Sequence, residues 1–393
     1  MHEATTKVLA HEAELRDEAL AGDQQAKITQ KTHDIVAASG GMKLMLAKDL
    51  GGYEAHPLEF AEWAMSIGIN QPSAGWIAGV VGIHPWEISI MDERLQREIY
   101  VDSPHGADTW TSSPYAPFGR AKKVDGGFIL NGRWPFGTGT DYCEWAILGG
   151  HVVGEDGNVL NPPEVRHFVL PKGDYTPVPD SWNVSGLQGT GSKDILVQDA
   201  FVPDYRVVEG SKMGDGSYGK QRRPGSPLYQ MLFGVMFPAA IAAGTFAIAR
   251  GAVRAYADYI GTRVSVSGTV SKTDPFQLHA LAKAESDVEA GISHYKDLVS
   301  GLYDHVSKGG EVSMEQRLLF NLHQRRGTTR AIEAVEELVR LSGTAAIQTG
   351  SPLDRYVRDL RVAGTHICNI TEPHFSDYSL YRLTGQTPPA GRY

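Results

Sequence analysis

Three long stretches in the C-terminal part of the chain constrain its fold most. They read YQMLFGVMFPAAIAAGTFAIARGAVRAYADYIGTR, DPFQLHALAKAESDVEAGISHYKDLVSGLYDHVS and MEQRLLFNLHQRRGTTRAIEAVEELVRLSG. Each repeats apolar residues at helical spacing, and only short turns separate them. Long amphipathic helices joined by short turns run antiparallel and bury their apolar stripes on one another. Residues 211–393 are therefore predicted to form a four-helix bundle with a tail. MGDGSYGKQRRPGSP, just before it, reads as a flexible, basic, exposed loop.

Upstream the period changes. Residues 103–210 carry short β-type runs: AKKVDGGFILNGRWPFG, EWAILGGHVV, EVRHFVLPKGDY, WNVSGLQGTGS and KDILVQDAFVP. DGG and NGR read as hairpin turns, so this is a small β-domain. Residues 1–102 return to helical spacing. There SAGWIAGVVGIHPWEISIM is apolar nearly all round, which predicts a buried helix.

The stretch SGLQGTGSKD invites a reading as a phosphate-binding loop. A dinucleotide fingerprint needs a strand, the loop, and then a helix whose first N–H groups hold pyrophosphate. Here a strand pattern follows instead. The glycines belong to a turn of the β-domain, and no nicotinamide site is predicted.

Composition removes other classes. A net charge of −9 leaves no basic excess for nucleic acid. No run of eighteen apolar residues suggests a membrane span, and the polar, acidic N-terminus is unlike a signal or transit peptide. The 2 cysteines, Cys143 and Cys368, lie far apart without CxxC spacing, so neither a disulfide framework nor a metal site is expected. What remains is a cytoplasmic enzyme or binding protein.

Helical domain, β-domain and bundle in that order resemble the acyl-CoA dehydrogenase family. WNVSGLQGTGSKDILVQDAFVP, LNGRWPFGTG and RYVRDLRVAG are similar to that family's glycine-rich turn, flavin-side hairpin and late helix. TSSPYAPFG, NGRWPFGTGTDYCEWAILGG and NVSGLQGTGS resemble more closely its flavin-dependent monooxygenase branch, the oxygenase components that hydroxylate phenols. The resemblance implies an N-terminal helical domain, a central β-barrel or sandwich and a C-terminal four-helix bundle. It also implies reduced flavin (FMNH2 or FADH2) delivered by a separate NAD(P)H-flavin reductase, O2 as co-substrate and a small aromatic substrate, phenolic or indolic. It further implies a reaction through a C4a-hydroperoxyflavin, in a homotetramer.

The same resemblance assigns roles. His84, in VVGIHPWEISI, falls where phenol oxygenases set a histidine against the substrate hydroxyl, and a buried imidazole suits proton abstraction. Ser112 and Ser113, with Trp110 before them, match a loop under the flavin edge, Ser113 also anchoring substrate. Thr138 matches the hydroxyl that reaches flavin N5, and Ser192 lies in the glycine-rich turn. His366 matches a second histidine, beside the hydroperoxide. Trp134 and Phe136 are expected near the flavin ring, or simply in the core of a β-hairpin. Arg263, Phe276 and Gly343 match a cofactor contact made across a subunit boundary; Gly343 also suits an ordinary helix C-cap.

An acyl-CoA dehydrogenase or related flavin oxidase is the alternative. It needs a carboxylate base, yet RVAGTHICNITEPH offers His366 and no glutamate before Glu372. A non-catalytic member of the fold is a third reading. The tyrosine-rich tail, ending PPAGRY, is expected to shape the pocket.

Overall fold

The computed structural model describes residues 1–265, 268 and 270–389. The last residues of the PPAGRY tail, 390–393, lie outside that range. The chain begins with helices α1 (Glu3–Leu9), α2 (Glu12–Gln24), α3 (Gln30–Ser39), α4 (Pro57–Gly68), α5 (Pro72–Gly82), α6 (His84–Ile88) and α7 (Glu93–Tyr100). Strands follow: β1 (Thr111–Ser112), β2 (Gly119–Val124), β3 (Gly127–Gly137), β4 (Trp145–Val153), β5 (Val165–Pro171), β6 (Thr176–Pro177), β7 (Lys193–Pro203) and β8 (Val207–Glu209). The chain then returns to helices: α8 (Gly210–Gly214), α9 (Ser217–Arg222), α10 (Phe233–Thr262), α11 (Pro275–Ser307), α12 (Met314–Ser342), α13 (Pro352–Gly364) and α14 (Glu372–Thr384).

The described strands form one eight-stranded sheet in the order β6-β7-β3-β2-β4-β5-β8, with β1 paired to β4. Asp125 and Gly126 make the turn between β2 and β3, Gly126 taking φ +73°. NGR is not a turn. Asn131 and Gly132 lie inside β3, at an irregularity in its pairing with β7. WNVSGLQGTGS is no strand either: it is a loop with a single 3-10 turn at Gln188–Thr190, and Leu187 and Gly191 are left-handed.

Two cores hold the molecule. Phe128, Leu130, Trp134, Leu148 and Phe168 pack inside the β-domain. The other core runs continuously from α4 and α5 into the C-terminal bundle. Its axis is α10, 30 residues long. Its most apolar window could span a membrane by length and composition, but 83% of that window is buried inside the protein. Pro238 within α10 has no N–H to give the Gly234 carbonyl, and Asn321 Nδ2 of α12 supplies the missing donor at 3.1 Å.

The basic loop expected at MGDGSYGKQRRPGSP is not free. It forms α8 and α9 and docks across α6. Arg222 and Arg223 donate to the carbonyls of Ile90 (2.7 Å) and Ser89 (2.6 Å), just beyond α6. Arg223 also pairs with Asp49 at 2.7 Å. Trp86 Nε1 donates to Leu228 O at 2.9 Å, tying α6 to the same segment. These arginines answer helix-end carbonyls rather than solvent.

Candidate active site

Pro85 interrupts the apolar run of α5 and α6, because it lacks the N–H that would continue α5. The break presents His84, fully buried, at the start of α6. Glu87 follows three positions later on the same face and is also buried. Across from them runs the chain after β1. Gly149 of β4 lets this segment approach: a Cβ there would fall 1.8 Å from the Tyr115 carbonyl oxygen. Gly149 N donates to Pro114 O at 3.2 Å.

The result is a buried polar cluster. Ser113 Oγ lies 2.6 Å from His84 Nε2, and Tyr115 OH lies 3.0 Å from His84 Nδ1. Tyr115 OH donates to Glu87 Oε2 in a short hydrogen bond. His167, paired across from Gly149 on β5, sets its Nδ1 3.6 Å from the other Glu87 oxygen. Burial pushes the His84 imidazole down to about 4, with Glu87 opposing the shift. Burial pushes the Tyr115 phenol well above its ordinary range, and Glu87 adds to this.

An aromatic wall joins this cluster to His366. Tyr115 meets Phe237 edge-on at 5.2 Å, Phe237 stacks on Phe233 at 5.5 Å, and Phe237 and Trp76 flank His366 at 6.0 and 5.6 Å. The Cys368 N–H donates to His366 Nδ1 at 3.2 Å. Neutral His366 therefore carries its proton on Nε2 and presents an N–H donor. Burial, and secondarily the Arg325 guanidinium, lower it to about 4.

A hydroxyl chain leads away from the serines. Ser112 Oγ donates to the Thr138 carbonyl at 2.9 Å, and Ser192 Oγ donates to Thr138 Oγ1 at 3.2 Å. Because Thr138 accepts from Ser192, its own hydroxyl proton remains to be donated outward. Beside it Phe136 stands 66% exposed with φ +66°, a left-handed conformation costing a non-glycine residue about 1–2 kcal/mol. Trp182 meets Phe136 edge-on at 6.2 Å. A hydroxyl that can donate or accept, beside an exposed aromatic pair, fits a ring system carrying a polar nitrogen, such as flavin.

The loop bearing Ser192 is held from the bundle. Leu187 N donates to Asp359 Oδ1 at 2.5 Å, and Arg358 donates to Ser185 O at 2.9 Å. Burial and the neighbouring Asp23 carboxylate push Asp359 up to about 7.

Thus His84, Ser112, Ser113, Thr138 and Ser192 come together, with His366 linked to them through Tyr115 and Phe237. Trp134 does not join them: its ring lies wholly inside the β-domain core, with Nε1 on Gly149 O at 2.6 Å. Trp110 is also turned inward. Its buried ring packs on His33 and Tyr142, and its carbonyl accepts from Glu144 and Trp145. Arg263, Phe276 and Gly343 gather elsewhere, at the far end of α10. There Gly343 makes room for the Arg263 guanidinium, which a Cβ would approach within 2.8 Å. Phe276 is largely exposed there. Glu372 is exposed and bonds only its neighbour Thr371. Two surface clefts, of about 280 and 370 Å³, are lined by neither His84 nor His366.

Sequence reading missed Tyr115, Glu87, His167 and Trp182. Glu87 had a signal, an acid in an otherwise apolar helical run. The other three are joined to the site only by tertiary contacts.

Fold and site together define a flavoprotein of the acyl-CoA dehydrogenase fold. Residues 239–370 match the family described as acyl-CoA dehydrogenase, C-terminal domain. The chain is 36% identical over 382 residues to a pigment production hydroxylase of Rhodococcus erythropolis, covering 97% of this chain and 96% of the relative. It is 33% identical over 366 residues to the flavin-dependent monooxygenase oxygenase subunit HsaA of Rhodococcus jostii (strain RHA1), covering 93% and 94%. The crystal structure of 3-HSA hydroxylase from Rhodococcus sp. RHA1 superposes with a TM-score of 0.92 at 31% identity, over 100% of this chain and 99% of that one. The chain belongs to the flavin-dependent monooxygenases. It is the oxygenase component of a two-component system that uses reduced flavin and O2 to hydroxylate an aromatic substrate, and the dehydrogenase alternative falls away.

Proposed function

We propose that the aromatic substrate is a phenol, that His84 is its base, and that hydroxylation falls ortho to the existing hydroxyl. The observation that carries this is the contact of Ser113 Oγ with His84 Nε2 at 2.6 Å, in a buried polar cluster bordered by aromatic rings. Bound reduced flavin supplies the activated oxygen. The protein's part is to hold the ring, draw off its proton and keep water away. A phenol hydroxyl on Ser113 passes its proton to the imidazole, which enriches the ring carbon that reacts. An imidazole titrating near 4 is a weak base by itself. A phenolate forming within a few ångströms raises it again, because opposite charges stabilise each other most where water is excluded.

Thr138 faces the flavin ring and His366 offers its Nε2–H on the opposite side of the aromatic wall. Phe237 lies near the start of α10 and Arg263 caps its C-terminus, about 39 Å away at 1.5 Å per residue. Arg263, Phe276 and Gly343 therefore reach a flavin only from a second copy of the chain. This supports a homo-oligomer, proposed to be a tetramer, with cofactor sites completed across subunits. A separate reductase supplies the reduced flavin, as the likeness to oxygenase components of two-component systems supports.

The test is product analysis. The protein is supplied with reduced FMN or FAD, labelled O2 and a panel of para-substituted phenols with indole as control. Catechols carrying one labelled oxygen are expected. Oxidation of indole with no phenol converted would remove the phenol assignment.

A further inference from the structure

We infer that Tyr115 and Glu87 are positioning residues that preset His84 as a base, and that His167 completes the charge arrangement behind them. The inference rests on His84 being the base proposed above. It begins from how many protons the cluster can share. An ionised Glu87 can only accept hydrogen bonds, so the single Tyr115 hydroxyl proton goes to Glu87 Oε2. The Tyr115 oxygen is then an acceptor toward His84 Nδ1, 3.0 Å away. His84 must carry its proton on Nδ1, which leaves the Nε2 lone pair facing Ser113 at 2.6 Å. The chain of donors thus runs one way, from Ser113 through His84 and Tyr115 to Glu87.

The opposite protonation reverses the site. Were Glu87 protonated, it would donate to Tyr115, Tyr115 to His84 Nδ1, and His84 would present an Nε2–H to Ser113. That tautomer accepts no proton. The ionisation of one residue, out of reach of the substrate, therefore decides whether His84 is a base.

Glu87 is placed for this role. It is 1% exposed, and its carboxylate lies between two imidazoles, with His84 Nδ1 at 3.9 Å and His167 Nδ1 at 3.6 Å. Glu87 Oε1 and His167 Nδ1, which face each other, have no hydrogen-bond partner among the described residues. Tyr100, buried and with its hydroxyl unbonded among the described residues, is a further titratable group close enough to feel Glu87; Tyr229 lies close enough to feel Tyr100. A buried carboxylate holding one hydrogen bond is costly, and a proton arriving on either imidazole offsets that cost. In the step itself one O–H bond of the phenol breaks. Ser113 accepts that proton and gives its own to His84 Nε2, forming one N–H bond. The electron pair stays on the phenolate, nothing is oxidised, and the imidazolium keeps its Nδ1–H on Tyr115.

The experiment reads the tautomer directly. Full-length protein labelled with nitrogen-15 at histidine is examined by NMR, with His84 signals assigned by their loss in His84→Asn. The expected wild-type spectrum shows His84 neutral at pH 7 with a slowly exchanging Nδ1–H and an unprotonated Nε2. In Glu87→Gln and Tyr115→Phe that proton should exchange at least tenfold faster, or the tautomer should move to Nε2–H, while the other histidine signals keep their positions. With a simple phenol as probe, both variants should lose at least tenfold in kcat with KM little changed. More acidic phenols, already ionised, should recover most of it. A wild-type His84 protonated on Nε2, or an Nδ1–H signal unaltered in Glu87→Gln, would overturn the inference. If one variant fails to fold, the other and the wild-type spectrum still decide. Because the spectra need neither flavin nor substrate, they stand apart from whether a phenol is the natural substrate.

Discussion

Ser113 Oγ and His84 Nε2 lie 2.6 Å apart although 29 residues separate them in the chain. One belongs to the segment after β1, the other to the break between α5 and α6. Their contact joins the sheet to the buried helical layer at the point where a substrate hydroxyl would sit. The consequences can be measured.

Thr138 accepts from Ser192, and its hydroxyl is proposed to hydrogen-bond the flavin ring. Thr138→Ala should therefore raise the fraction of O2 released as H2O2 by at least severalfold, because one hydrogen bond to the reacting system is worth roughly 1 kcal/mol or more. Thr138→Ser should retain most of the coupling. Peroxide assays beside product yield distinguish the two; equal leakage from both variants would remove the hydroxyl from this role.

Gly149 is a packing requirement for the site. A Cβ there would lie 1.8 Å from the Tyr115 carbonyl oxygen, which is backbone and cannot swing aside. Gly149→Ala should destabilise the fold by about 1–3 kcal/mol, the usual cost of overpacking. It should also displace Ser113 and Tyr115 together. Denaturant unfolding and hydroxylation assays should both show losses, whereas Gly173→Ala, which meets nothing within 4 Å, should show neither.

His84 and His366 are each lowered from 6.5 to about 4, burial being the larger cause in both. The folded protein thus binds fewer protons than the unfolded chain between those values. Their contribution to stability is complete above pH 6.5 and is lost as pH falls toward 4. His84 is fully buried and should dominate; His366 keeps an edge open to solvent and should count for less. The Tm should fall on acidification from pH 7 to 4.5, and His84→Gln should flatten that slope. An unchanged slope would show that His84 is not held neutral by burial.

Arg263 and His84 are expected to serve one cofactor site from different subunits. Arg263→Ala and His84→Gln should each be nearly inactive alone. Unfolding and refolding them as a mixture should restore a substantial fraction of wild-type activity, since some sites then draw both intact residues. Absence of recovery in mixed oligomers of wild-type mass would place both residues in the same subunit's site.

Much of this was legible in the sequence because it rests on local pattern. The three long helical stretches became α10, α11 and α12, and the Asp125-Gly126 turn links β2 and β3 as its residue types demand. Position in a strand was less reliable. Alternation would put Trp134 and Phe136 on the same face, yet the pairing shift between Trp134 and Gly137 and the left-handed Phe136 turn one inward and the other out. The basic segment at Arg222 and Arg223 gave no local sign of order, because its partners are carbonyls more than a hundred residues away. Tyr115 and His167 were invisible for the same reason. Each looks ordinary until the sheet brings it to Glu87.

The most direct test of His84 as the base is to partition oxygen use in His84→Gln. Wild-type and variant are mixed with reduced flavin, O2 and a phenol, and product is counted against H2O2. The variant should consume O2 at about the wild-type rate while product falls at least about a hundredfold, the scale of general-base catalysis, and H2O2 rises to account for the oxygen. Product at the wild-type yield from His84→Gln would contradict the account.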